Sequence, residues 1–183
     1  MTAENGSDEG TTHGSGASTA TDSTGVFVAD TKAKRDDAFA VRQRVFVAEQ
    51  GVDESIEYDE YDDPDAPATH FVAYDGGNVV GAARIRPVAG KGDAPSTSDD
   101  PKTAKVERVA VAADSRGEGW GRQIMESVES WGREAGYTRF VLNAQTHVRE
   151  FYERLGYEAY GEEFEEAGIP HIAMDKSLRD ETS

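Results

Sequence analysis

The sequence predicts an α/β fold, a mixed and mainly antiparallel sheet in three layers with one central parallel pair. Three observations predict it. Two alternating runs, 69–74 and 79–86, flank Asp75-Gly76-Gly77-Asn78, a strong hairpin signal. A β-branched run, 105–111, passes through a glycine turn into an amphipathic helix and then a second β-branched run, 138–143. That order is a right-handed parallel crossover. Two last runs, 157–164 and 169–174, close as antiparallel strands around Glu165-Glu166-Ala167-Gly168.

In chain order, residues 1–25 are almost entirely small and polar, too polar to bury anything, and are expected to be a disordered acidic tail. A single domain is expected over 26–178, with a short tail at 179–183. Val26-Phe27-Val28-Ala29 is the first strand. A helix from Lys34 carries Ala38, Val41, Val45 and Ala48 on one stripe, widened by Phe39 and Phe46, and ends near Gly51. The acidic stretch that follows to Asp65 is read as a solvated loop. Gly81 marks a candidate bulge in the hairpin's second strand, and Gly90 to Pro101 is a linker. In the crossover helix Ile124, Val128, Trp131 and Ala135 recur at helical spacing, and Gly136 sits where a left-handed residue ends it. A second helix places Val148, Phe151, Tyr152 and Leu155 on one stripe and stops at Gly156.

Composition narrows the function. The 183 residues carry 36 acidic against 19 basic side chains, a formal net charge of -17. Such a field repels polyanions, so neither nucleic acid nor an anionic membrane surface is expected as a partner. Heavy acidity with scarce Lys suits a protein kept in concentrated salt. The absence of cysteine excludes disulfides, a thiol nucleophile and thiolate metal sites. Four scattered histidines without ligand spacing predict no metal. No apolar run approaches bilayer-spanning length and the N-terminus lacks signal-peptide regions, so a cytoplasmic location is expected.

The most informative stretch is Arg116-Gly117-Glu118-Gly119-Trp120-Gly121, between the Val-rich strand and the helix. Gly117, Gly119 and Gly121 leave no Cβ in the way, so several N–H groups can point at one place beside the helix's positive end. Arg116 and Arg122 flank the turn and suit phosphate oxygens. No Lys-Ser or Lys-Thr follows, which excludes the nucleotide P-loop, and the glycine spacing misses the dinucleotide fingerprint.

Arg-x-x-Gly-x-Gly after such a strand resembles the coenzyme A pyrophosphate loop of the GCN5-related N-acetyltransferase (GNAT) family. Asn143 together with Phe151-Tyr152-Glu153-Arg154-Leu155-Gly156-Tyr157 is similar to that family's second cofactor motif. Segments 41–50, 81–87, 144–147 and 168–174 resemble its ElaA-type subgroup. The resemblance spans about Val26 to Lys176. It implies acetyl-CoA as acyl donor, bound by Val109, Ala110 and Val111 along a splayed strand and by Arg116, Gly117, Gly119, Trp120, Gly121, Arg122 and Asn143.

The activity implied is direct acetyl transfer to a primary amine of a small molecule or peptide. The alternative is a non-catalytic acyl-CoA-binding sensor of the same fold. A homodimer is compatible with either. Transfer needs a neutral amine, a stabilised oxyanion and a proton for the departing thiolate. The resemblance assigns the last role to Tyr152, since a neutral tyrosine can donate to a thiolate. It makes a backbone N–H of Val109 or Val111 the oxyanion donor. Glu107 is the candidate base, on the face that strict alternation shares with Val109 and Val111, unless Arg84 or Arg108 pairs with it. His171 and His147 are alternatives. The acceptor pocket is expected at Phe46, Glu49, Gln50 and His171.

Overall fold

The structure, a computed structural model, describes residues 23–88 and 102–178. The expected linker, the C-terminal tail and nearly all of the N-terminal tail lie outside the described residues. Seven strands form one sheet: β1 (Gly25–Val28), β2 (Thr69–Asp75), β3 (Asn78–Pro87), β4 (Thr103–Val111), β5 (Arg139–Gln145), β6 (Glu158–Glu166) and β7 (Ile169–Ser177). Their order is β1-β2-β3-β4-β5-β7-β6. Every neighbouring pair is antiparallel except β4 and β5. Gly76 and Gly77 have φ of 54° and 81°, the pair of positive angles that a tight hairpin turn needs to match strand twist.

Helix α1 (Lys32–Arg42) covers one face, burying Ala38 and Val41 against Val72, Ala82 and Ala110. Past the short helix α2 (Glu54–Glu57), helices α3 (Trp120–Glu134) and α4 (Arg149–Arg154) cover the other, over Ile85, Val106, Phe140 and Leu142. The expected three layers are therefore present. Ile124, Met125 and Val128 of α3 are fully buried. Each such side chain contributes about 1.5–3 kcal/mol of transfer free energy. Thr31 caps α1 by accepting from the Lys34 N–H, and Gly136, with φ 86°, ends α3 as its sequence position implies.

Two irregularities shape the region between β4 and β5. The first helix runs on past Arg42 as a π-helix over Gln43–Glu49, where the Gln50 N–H reaches back five residues to the Val45 carbonyl. The wider turn adds a residue and rotates the stripe. Ala48, expected in the core, is exposed, while Val45 stays buried and Phe46 packs beside it. The second lies in β4. Ala110 faces Ala82 and Glu107 faces Arg84, so Arg108 and Val109 together oppose Ala83, a β-bulge with Arg108 at φ 56°.

The bulge reverses alternation. Val106 packs on the α3 side, and so do Val109 and Val111, whereas Ala110 points to α1. Glu107 consequently does not share a face with Val109 and Val111, which corrects the expectation from strict alternation. Gly81 does sit at an irregularity, with the β2–β3 register shifting beside it, and a Cβ there would meet Ile124 Cδ1 at 2.5 Å.

The parallel pair is joined only at Thr103–Arg139, Ala104–Phe140 and Lys105–Val141. Beyond Lys105 the strands diverge. On its far side β4 stays paired with β3, and β5 stays paired with β7, so the divergence opens a wedge between two halves of one sheet.

Candidate active site

The wedge is a cleft of about 850 Å³, and every residue expected in a site lines it. At one mouth lies the glycine turn. Gly117 and Gly119 have φ of 81° and 87°, and no heavy atom lies within 4 Å of where their Cβ atoms would be. Gly119 is the N-cap of α3 and supplies no side-chain cap. The first-turn amides of α3 therefore have no partner inside the helix and are free to hold an anion. At Gly121 the reason for glycine is different, since a Cβ would approach the Phe151 ring at 3.1 Å and push α4 away. Trp120 is 6 % exposed and packs in the core. Its main chain, not its indole, is what the turn presents.

Arg116 is already engaged. Its Nε donates to the Val111 carbonyl at 3.1 Å, and its two terminal nitrogens form a fork on the Glu49 carboxylate, Nη2 to Oε2 at 2.9 Å. Glu49 had been expected in the acceptor pocket and Arg116 at a phosphate, so the structure joins two residues assigned to opposite ends. Arg122 donates from Nε to Glu126 along its own helix, both side chains well exposed. Gln50 and Gln145 exchange amide hydrogen bonds of 3.2 and 2.8 Å across the cleft. Asn143 donates to Glu166 at 3.1 Å.

Deeper in the cleft Tyr152 is 8 % exposed. Its ring sits edge-on to Phe151 and Tyr157, with centroids 4.9 and 5.9 Å away. Burial pushes its hydroxyl pKa up, which keeps it protonated as a hydrogen-bond donor. His171, stacked on Phe164, lies 2.7 Å from the Ile169 carbonyl through Nδ1. With Nδ1–H donating to that oxygen, the lone pair of the neutral ring falls on Nε2. His147, at the turn after β5, is exposed.

Glu107 is held by Arg84 Nη2 at 2.7 Å and by Arg86 through two bonds of 3.0 Å. Burial opposes its ionisation, but the hydrogen bonds from Arg86 and Arg84 outweigh it and hold the carboxyl at about 2. A carboxylate that weakly basic cannot take a proton from an ammonium near neutral pH. In place of the expected base Glu107 forms an ion-pair cluster, with Arg86 and Arg84, not Arg108, as its partners.

The pair extends into a network that the sequence reading missed. Arg42 and Arg84, 1 % and 0 % exposed, each bind Asp62, and Arg42 also binds Glu57 while Arg84 binds Asp59. The acidic stretch to Asp65 is therefore not a solvated loop: Glu57 is 3 % exposed. The bulge turns Arg108 out of the sheet toward the same loop, where it meets the Glu57 carboxylate at 3.0 Å. One signal was available, because Arg42 lies four residues from both Ala38 and Phe46, on the apolar face of its helix, where an unpaired charge would be untenable. Among the described residues no group of His, Asp or Glu is arranged to hold a metal ion. No helix among them is long and apolar enough to cross a membrane.

A mixed sheet wedged open at its one parallel pair, with an uncapped glycine turn at the mouth, defines the class of acyl-CoA N-acyltransferase folds. Residues 30–178 match the acetyltransferase (GNAT) domain, and the chain belongs to that family. An uncharacterised N-acetyltransferase of Bacillus subtilis, YjcF, is 40 % identical over 141 residues, covering 76 % of this chain and 90 % of the relative. The ElaA protein of Escherichia coli is 30 % identical over 141 residues, 75 % and 84 % of the two chains. Its crystal structure superposes with a TM-score of 0.59, at 27 % identity over 80 % of this chain and 92 % of that one. An acyl-CoA N-acyltransferase from Pseudomonas aeruginosa superposes with a TM-score of 0.68, at 26 % identity over 85 % and 100 %. The family therefore supports an acyltransferase and does not favour a binding-only module.

Proposed function

We propose that this protein is an acetyl-CoA-dependent N-acetyltransferase acting directly, without an acyl-enzyme, on a primary amine of a small molecule or peptide. The observation that carries the reading is the placement of the uncapped glycine turn and the buried Tyr152 hydroxyl in one cleft. The turn's amides would hold the pyrophosphate. The edge of β4 left unpaired beyond Lys105 offers its main chain to the pantetheine arm, around Val109, Ala110 and Val111.

The chemistry then falls to few groups. His171, with its lone pair on Nε2, accepts the proton of the attacking amine. The C–N bond forms first as the thioester carbonyl opens to an oxyanion, which a β4 amide at Val109 or Val111 stabilises, and its collapse re-forms the carbonyl, breaks the C–S bond and releases the thiolate. Tyr152 donates a hydrogen bond to the departing sulfur, and its high pKa keeps that proton in place until the thiolate forms. The test is thiol release from acetyl-CoA in concentrated KCl with a panel of amines and peptides. Wild type should release thiol with at least one acceptor, and Tyr152→Phe should be slower. If no acceptor stimulates release although CoA binds, the binding-only reading takes its place.

A further inference from the structure

Two adjacent side chains at the end of the π-helix span the cleft in different directions. Glu49 reaches Arg116 in the glycine turn, and Gln50 reaches Gln145 at the end of β5. The extra residue per turn sets this pair over the cleft, since the Gln50 N–H bonds to Val45 and the Val52 N–H to Phe46, six residues back. Arg116 uses three of its five N–H donors in this arrangement, Nε on Val111 and one N–H of each terminal nitrogen on Glu49, so its end-on fork is occupied. The guanidinium best placed for a phosphate thus already holds a carboxylate.

Taking the cleft as an acyl-CoA site, we infer that Glu49 and Arg116 are a counter-ion exchange pair linking the two substrates. The donor's pyrophosphate takes Arg116 from Glu49, and the freed carboxylate binds the ammonium group of the acceptor. Three features support the exchange. The Arg116 and Glu49 side chains are 45 % and 42 % exposed, so their mutual attraction is weak and readily surrendered. A pyrophosphate carries more charge than a carboxylate and accepts the same bidentate fork, with the α3 amides adding to it. The Gln50–Gln145 bonds anchor the helix end independently of Arg116, so Glu49 stays over the cleft once released. Glu49 is then a positioning and specificity residue for a cationic acceptor.

The experiment is calorimetric titration of CoA and of pantetheine, which lacks the pyrophosphate, into wild type and Glu49→Gln at about 0.1 M salt, where exposed charges are still felt. The exchange requires Glu49→Gln to bind CoA about two- to fivefold more tightly than wild type, the scale of one exposed ion pair. Pantetheine affinity should be the same for both proteins. Equal or weaker CoA binding by the variant overturns the exchange while leaving the acyl-CoA reading intact. Failure of CoA to bind wild type removes both. In the thiol-release assay, Glu49→Gln should lower KM for acetyl-CoA and raise KM for the amine. Movement of both constants in one direction, as general structural damage would produce, also sinks the idea.

Discussion

Tyr152 and Glu107 show how differently single residues can be read. Tyr152 lies on a helical stripe and could have been an ordinary core aromatic. What sets it apart is that its hydroxyl makes no hydrogen bond to any described residue although it is 8 % exposed in the cleft. Tyr152→Phe should lower kcat for thiol release roughly 100-fold, the lower range for a lost proton donor, with CoA affinity changed by less than about twofold. A variant that keeps wild-type kcat would remove the role. Glu107 was legible as an acid on the right strand and Arg84 as a possible partner, but Arg86 was not, because it reaches Glu107 across the sheet from β3. Glu107→Gln would leave Arg84 and Arg86 short of a counter-charge in a mostly buried site. It should cost on the order of 3 kcal/mol in urea unfolding, as breaking buried pairs does. A loss below about 1 kcal/mol would show that Asp59 and Asp62 suffice for Arg84.

At the level of elements, local chemistry was readable and tertiary irregularity was not. The Asp75-Gly76-Gly77-Asn78 turn, the Gly136 and Gly156 helix stops and the crossover all follow from residues within a few positions of one another. The π-helix and the β4 bulge do not. Each is an extra residue tied to something distant, and both lead to one network on the α1 face of the sheet: Arg42 buried against Glu57 and Asp62, and Arg84 holding Asp62 and Glu107. Alternation and helical period are one-dimensional rules, so they failed at Ala48 and at Glu107, just where the cleft is built. Helix α3 gives a direct test of how tightly the elements are locked. A Cβ on Gly132 would meet the fully buried Phe140 ring at 2.5 and 2.7 Å. Gly132→Ala should therefore lose about 1–3 kcal/mol by overpacking, despite alanine's better helix propensity. Urea unfolding measures it, and a stabilised variant would mean that α3 can slide on β5, carrying the glycine turn with it.

For the whole molecule, the succession of elements along the chain and the three layers were legible, because hydrophobic periodicity reports layers directly, whereas charge placement was not. The net charge of -17 hides two populations that respond oppositely to solvent. Asp62 and Glu107 are held at about 2, below their ordinary 3.8 and 4.5, because hydrogen bonds from arginines outweigh burial. A depressed carboxyl stabilises the fold above its unfolded value, so their contribution is complete above about pH 4.5 and is lost as the pH falls toward about 2. Each is worth on the order of 2–3 kcal/mol. The other acids among the described residues are mostly exposed and repel one another. Their i,i+4 partners, such as Lys32–Asp36 and Arg149–Glu153, are exposed pairs that contribute little. Salt shortens the Debye length from about 10 Å at 0.1 M to about 3 Å at 1 M, which removes the long-range repulsion and hardly touches the buried network. Raising KCl from 0.1 to 2 M at pH 7 should therefore increase Tm by about 5 °C or more, the equivalent of 1–2 kcal/mol for a domain of this size. At pH 3.5, where many exposed carboxyls are protonated, the same salt step should raise Tm by clearly less. Thermal unfolding followed by circular dichroism at the four conditions decides it. A Tm that falls with salt at pH 7 would mean that the surface pairs outweigh the repulsion and that the acidity is not an adaptation to concentrated salt.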